Sequence, residues 1–147
     1  WLRDSKTVPE KRREEVFEEI MACAVSVGVW LGEVEEIDRI NIRQANYLAM
    51  KRAIDQTTAD VVIVDAWTVP GVTIKQVPII KADQKSISAA AASLIAKVTR
   101  DRMMIDFAKI HPSYAFETHK GYGTKKHREA IKKLGLTPIH RKSFCHF

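Results

Sequence analysis

DVVIVDAWTVPGVTIKQVPIIKADQKSISAAAASLIAKVTRD, residues Asp60–Asp101, carries the pattern that decides the architecture. Asp60–Asp65 is a β-branched run of the kind found in a strand covered on both faces. Lys75–Ile80 predicts a second, weaker strand, in which Pro78 argues for an edge or a bulge. Trp67–Gly71 supplies turn chemistry between them. The Ala-rich segment from about Ser86 to Ile110 then predicts a long helix, stopped by His111-Pro112, with Ala89–Ala92 allowing close packing.

Upstream, Thr7-Val8-Pro9-Glu10 sets a capping hydroxyl three residues before a Glu, with Pro in the first turn, and predicts a helix to about Ala24. Val16, Ile20 and Ala24, with Phe17 and Met21, form its apolar stripe. Val25–Gly32 predicts a strand or extended segment. A second helix is expected from Asn41 to about Gln56, its narrow apolar face including Ile42, Ala45, Leu48 and Ala49. Downstream, a Gly- and aromatic-rich loop at 112–123 leads to a short basic helix over Thr124–Leu134, stopped by Gly135, and an extended tail. Strands alternating with helices point to an α/β fold. One domain over residues 1–147 is expected, with a helical, basic portion at about 111–147.

The chain has 147 residues, 46% of them hydrophobic, enough for a single core. Twenty-four Lys and Arg against 18 Asp and Glu give +6, a surplus that suits a phosphate backbone or an acidic membrane surface. The only two cysteines, Cys23 and Cys145, lie far apart without CxxC spacing, which fits free thiols in a reducing, cytoplasmic setting. No apolar run approaches the ~20 residues of a membrane helix, and no signal segment is evident. Trp1-Leu2-Arg3-Asp4-Ser5-Lys6 reads like the interior of a protein, so trimming upstream is an expectation.

Asp65 ends the first strand and Asp83 falls just past the second, where α/β folds gather functional groups. Two hard oxygen ligands suit Mg²⁺ or Mn²⁺. Equally, Asp65 opens a turn and Asp83 caps the Ser86 helix. His119-Lys120-Gly121-Tyr122-Gly123-Thr124 joins glycines that admit close backbone approach to a Tyr able to stack on a sugar or base. An ordinary glycine loop with an anchoring Tyr explains it as well. His111, His127, His140 and His146 lack zinc-ligand spacing and are expected to be capping or surface residues. No nucleophile triad, GxGxxG or GxxxxGK[ST] is present.

Six ordered segments resemble the ribonuclease HII family: LRDSK (Leu2–Lys6), IDRINIRQANYLAMKRAI (Ile37–Ile54), VIVDAW (Val62–Trp67), KADQKSISAAAASLIAKVTRDRMM (Lys81–Met104), HKGYGTKKH (His119–His127) and PIHRKSF (Pro138–Phe144). The resemblance implies a ribonuclease H-like fold, a mixed central sheet flanked by helices, with the first strands absent from this chain. It implies metal-dependent cleavage of the RNA strand of RNA–DNA hybrids, or at ribonucleotides embedded in duplex DNA, giving 5′-phosphate and 3′-hydroxyl ends, by a monomer. The family's third and fourth catalytic acids map onto Asp65 and Asp83, with Mg²⁺ or Mn²⁺ as cofactor. Its sugar-packing Tyr maps onto Tyr122. Ser5, Lys6, Asn41, Lys97 and Arg100 are candidates for the substrate groove, and Asp101 is expected to pair with a nearby base.

Two departures stand out. The family's first two acids lie in an Asp-Glu-Ala-Gly-Arg-Gly segment that nothing in this chain matches, and Asp65 is followed by Ala66 where the family usually has Gly. Three readings therefore remain. They are an enzyme whose N-terminal segment lies outside the chain, a hybrid-binding fragment without turnover, and a fragment completed by a partner chain.

Overall fold

The computed structural model describes residues 8–146. Two parallel strands, β1 (Val61–Asp65) and β2 (Lys75–Ile79), pair from Val61↔Lys75 to Asp65↔Ile79. Parallel strands usually need a crossover of about a dozen residues or more, most often a helix. Here residues 66–74 suffice, because the Gln76 side chain braces them. Its Oε1 accepts from Val69 N at 2.7 Å, and its Nε2 donates to the carbonyls of Val69 (3.0 Å) and Val72 (3.3 Å). Val69 is thereby buried.

Burial on β1 is less complete than the β-branched run predicts. Only Val64 is buried, Val61 and Asp65 are exposed, and Val62 and Ile63 lie between. Among the described residues β1 has one strand neighbour, so much of its surface is uncovered. Trp67, Ile80 and Ile87 nearby are exposed as well.

Among the described residues six α-helices accompany this ribbon, of which α3 and α4 pack on the strands: α1 (Glu10–Cys23), α2 (Val34–Ile54), α3 (Ala82–Lys85), α4 (Ile87–Ile110), α5 (Phe116–His119) and α6 (Lys125–Leu134). Helix α4 is the spine, begun where Ser86 Oγ accepts from Ala89 N, a cap worth about 1 kcal/mol. Val16 of α1 packs on Leu94 and Val98 of α4, with Phe17 and Ile20 alongside. Each such buried aliphatic contributes roughly 1.5–3 kcal/mol. Farther along, Tyr114, Phe116 and Ile131 form a second cluster that includes Met104 and Phe107 of α4.

Several expected boundaries shift. Helix α1 starts with Pro9 at its N-cap, not in its first turn, and Thr7 lies outside the described residues. Residues 24–33 are extended and belong to no strand. They lie against the end of α2, where Ser26 Oγ accepts from Thr58 N at 3.2 Å. A Cβ on Gly28 would stand 1.9 Å from the Ala53 carbonyl oxygen, so only glycine fits there.

Helix α2 begins seven residues before the expected Asn41, and Asn41 breaks it with φ 67° and ψ 162°. Asn41 is nonetheless a cap. Its Oδ1 accepts from Arg43 N (3.0 Å) and Gln44 N (3.2 Å), restarting the helix with a new phase. Ile42, expected on the apolar face, is consequently exposed, whereas Ala45 is buried. The architecture is α/β with a small parallel sheet, consistent with a ribonuclease H-like fold. No helix among the described residues is long and apolar enough to cross a membrane.

Candidate functional site

Asp65 closes β1, and the next residue, Ala66, turns the chain with φ 63°. That left-handed conformation suits glycine and costs other residues roughly 1–2 kcal/mol. It is held by Ala66 N donating to Ile79 O (3.1 Å) and Trp67 N donating to Asp65 O (2.8 Å). Asp65 Oδ1 accepts from Ala82 N at 3.2 Å, tying the strand end to the first residue of α3. Asp83 is the next residue on that helix and is half-buried, while Asp65 is exposed. The two carboxylates thus belong to one junction of β1 and α3. Asp83 does not cap the long helix; Ser86 does.

Hard oxygen donors of this type fit Mg²⁺ or Mn²⁺. Their number is small, because no group of three or more His, Cys, Asp or Glu positioned to hold an ion occurs among the described residues.

Tyr122 stands on the loop between α5 and α6 with its side chain more than half exposed. The Arg100 guanidinium carbon lies 4.8 Å from the Tyr122 ring centre and Lys97 Nζ 5.8 Å from it, both cations rising from α4. Such contacts contribute about 0.5–1 kcal/mol at an exposed site. Arg100 Nη1 is buried with no hydrogen-bond partner among the described residues. Gly121, at φ 77°, lets the loop pass Met104, whose Cε would lie 3.2 Å from an added Cβ. Gly123 has open space where a Cβ would stand.

Lys97 is less available than Arg100. Its Nζ donates to both Asp101 oxygens (2.7 and 2.6 Å), and Arg13 Nη2 approaches the same carboxylate at 3.8 Å. Asp101 is buried, so the expected pairing with a base is met twice over. Asn41 stands apart from this group. It lines a shallow recess with Asp38, Ser143 and Phe144. Ser5 and Lys6 lie outside the described residues.

The histidines depart most from expectation. His111 does cap the C-terminus of α4 and His146 is exposed. His127 and His140, expected at caps or the surface, are buried together with His119. The His119 and His127 rings stack with centres 4.3 Å apart, and Phe116 meets both edge-on. His127 and His140 face each other through their Nε2 atoms at 3.1 Å. Burial holds both below the ordinary histidine value; repulsion from His119 acts in the same direction on each, and His127 adds to it at His140. Only the position of His119 and His127 at the two ends of the glycine motif hinted at this cluster.

The model of the family described as "Ribonuclease HII" matches residues 2–147. Similar proteins include the ribonuclease HII of Clostridioides difficile (strain 630), 52% identical over 97% of this chain and 57% of that protein. The ribonuclease HII of Bacillus subtilis (strain 168) is 51% identical over 98% of this chain and 57% of its own length. That of Endomicrobium trichonymphae is 50% identical over 98% of this chain and 70% of its own. The chain spans a little over half the length of most of these curated relatives. With the match running from residue 2 to the last residue and half of all positions identical, the chain belongs to the ribonuclease HII family.

Proposed function

We propose that this chain carries the part of an endoribonuclease that holds Asp65, Asp83 and Tyr122. The enzyme cleaves the RNA strand of RNA–DNA hybrids, or at ribonucleotides embedded in duplex DNA, and leaves 5′-phosphate and 3′-hydroxyl ends. The observation that supports the reading is the Asp65–Ala82 hydrogen bond, which ties the end of β1 to α3, the helix that carries Asp83. Asp65 and Asp83 are the residues to hold Mg²⁺ or Mn²⁺. When bound, two such ions activate the attacking water and stabilise the leaving oxygen.

The remaining roles fall to the chain's own groups. The exposed Tyr122 ring stacks on the sugar beside the scissile bond. Arg100, with an unpartnered buried Nη1 among the described residues, takes a phosphate oxygen through its remaining donors. Lys97 supports the groove mainly by pinning Asp101. Asn41, Ser5 and Lys6 extend the groove in this reading, Ser5 and Lys6 from outside the described residues. We assign the chain to a single ribonuclease H-like domain with a basic C-terminal portion at about 111–147, acting as a cytoplasmic monomer. Its two free thiols fit a reducing compartment.

A second reading, hybrid binding without turnover, is favoured by the small donor set, since two carboxylates serve two ions less well than four. Incubating this chain with a duplex containing one ribonucleotide, with Mg²⁺ and then Mn²⁺, separates the two. Cleavage beside the ribonucleotide supports the enzyme; binding without cleavage supports the second reading.

A further inference from the structure

The loop carrying Tyr122 is gripped from beneath by three buried imidazoles whose hydrogen positions are dictated by their partners. Gly121 N donates to His119 Nδ1 at 3.2 Å, so the proton of His119 is on Nε2, which donates to the Tyr114 carbonyl at 2.8 Å. His127 Nδ1 faces the Tyr122 carbonyl at 2.9 Å; a carbonyl only accepts, so this nitrogen carries the proton and Nε2 is bare. His140 Nδ1 accepts from Thr137 N at 2.9 Å, with the Thr137 hydroxyl at 2.7 Å, so its proton is on Nε2 and is donated to His127 Nε2 at 3.1 Å. Every ring nitrogen is satisfied with all three rings neutral.

An added proton meets one possible acceptor in this chain of bonds, the Thr137 hydroxyl beside His140 Nδ1, and otherwise only donors. On His127 it would set two N–H groups against each other at 3.1 Å; on His140 it would face the Thr137 amide hydrogen; on His119 it would face that of Gly121. The groups packed around the cluster offer no compensating carboxylate among these contacts. His111 from the end of α4 adds repulsion, Tyr114 is engaged with Gly135 O, and Cys145 packs on the same cluster. Lys97 and Arg100 approach across the Tyr122 ring, Arg128 Nε binds Gly123 O, and Lys120 Nζ binds Glu117 O. The carboxylates near this region are already engaged or remote from the rings: Glu10 of α1 lies 3.9 Å from Lys120, Asp101 is held by Lys97, and Asp38 is bound by Ser143.

We propose that His119, His127 and His140 are positioning residues for Tyr122, a hydrogen-bond relay that keeps the Tyr122 carbonyl, and with it the ring, in place and that protonation of His119 or His127 breaks. The consequence is a grip on ribonucleotide-containing duplex that loosens in acid. It rests on the reading that Tyr122 touches substrate. Its sign opposes general electrostatics, since a more protonated, more basic chain would otherwise bind DNA more tightly. The depressed affinity of His127 and His140 for protons agrees with this wiring.

The test uses the full chain in two measurements: long-range ¹⁵N–¹H spectra of the histidine rings, and affinity in EDTA for a duplex with one ribonucleotide relative to the same duplex in DNA alone, from about pH 8 to about pH 5. The expected spectra have Nε2–H tautomers at His119 and His140, Nδ1–H at His127, and Tyr122 signals that move together with ring protonation. The ribonucleotide preference should fall roughly tenfold across that range, the effect of about one pH unit of coupling.

His140→Gln should flatten the profile, because its amide can turn to offer oxygen to a protonated His127. Other tautomers, or Tyr122 signals indifferent to the rings, would overturn the proposal. So would a wild-type acid profile retained by His140→Gln. Should Tyr122→Ala keep full ribonucleotide preference while the spectra stand as expected, the substrate role of Tyr122 fails and the relay does not.

Discussion

Arg100 stacks its guanidinium on the Tyr122 ring, 4.8 Å from the ring centre, so the two side chains form one platform although they come from different elements. Removing the ring should therefore remove more than a contact. Tyr122→Ala should weaken binding of a duplex with an embedded ribonucleotide by the ~1–3 kcal/mol typical of one stacking residue. Fluorescence anisotropy reads this, and unchanged affinity would take Tyr122 out of the groove. Arg100→Gln should reduce the salt dependence of binding by about one counterion.

Asp65→Asn and Asp83→Asn should each abolish any metal-dependent cleavage while leaving hybrid affinity largely in place. Asn is the informative replacement at 65, because its Oδ1 still accepts from Ala82 N and keeps α3 attached. Cleavage assayed beside binding checks this; normal turnover in either variant would sink the assignment. EDTA should act as both substitutions do.

The left-handed turn at Ala66 makes a stability prediction with a definite sign. Ala66→Gly relieves roughly 1–2 kcal/mol of backbone strain and loses about 0.5–1 kcal/mol to chain entropy, so a net gain of roughly 0–1.5 kcal/mol is expected. Thermal melting would register it. A fall in stability would mean that the Ala66 methyl packs more than it strains.

Asp101→Ala should be the most damaging of these substitutions. It leaves Lys97 and Arg13 facing each other at the α1–α4 contact without their shared carboxylate, a loss of about 3–5 kcal/mol for a broken buried pair. Urea unfolding should reveal it, with α1 detaching first by hydrogen exchange. A loss under ~1 kcal/mol would show the cluster to be solvated.

Asp38 ties the tail to α2, and acid should untie it. The Ser143 hydroxyl, then the amides of Ser143 and Lys142, hold its carboxyl below the ordinary 3.8. A lowered folded-state value means that the contribution is present above pH 3.8 and disappears as pH falls through the lower folded value. Amide shifts of Lys142 and Ser143 followed through an acid titration should report that single step. A midpoint at or above 3.8 would contradict the tether.

Several helix ends were legible because their signals are local. The Ser86 and Thr124 caps, the Gly135 stop and the His111-Pro112 boundary act within a few residues, and each falls where the spacing puts it. Asn41 was half legible: its side chain does start a helix, but four-residue periodicity does not reveal that another helix runs straight into it. The β-branched run at 60–65 signals a strand correctly and its burial incorrectly, because coverage depends on neighbours that the run does not contain. Strand-end position marked the candidate acids and glycine-flanked spacing marked Tyr122, and motif resemblance added a role for each. Lys97 was found through that resemblance, and its commitment to Asp101 became visible only in three dimensions.

The sequence alone determined the family, most of the order of elements, and which side chains suit the proposed chemistry, since these depend on local propensity and on residue identity. Tertiary structure decided which of those groups remain available. The bond from Asp65 to Ala82 spans 17 positions, and the His127–His140 contact 13. Whether a histidine is a solvated surface base or a neutral buried wire depends on burial and on the donors opposite each nitrogen, and both arise only when α4, α5, α6 and the tail close over one another.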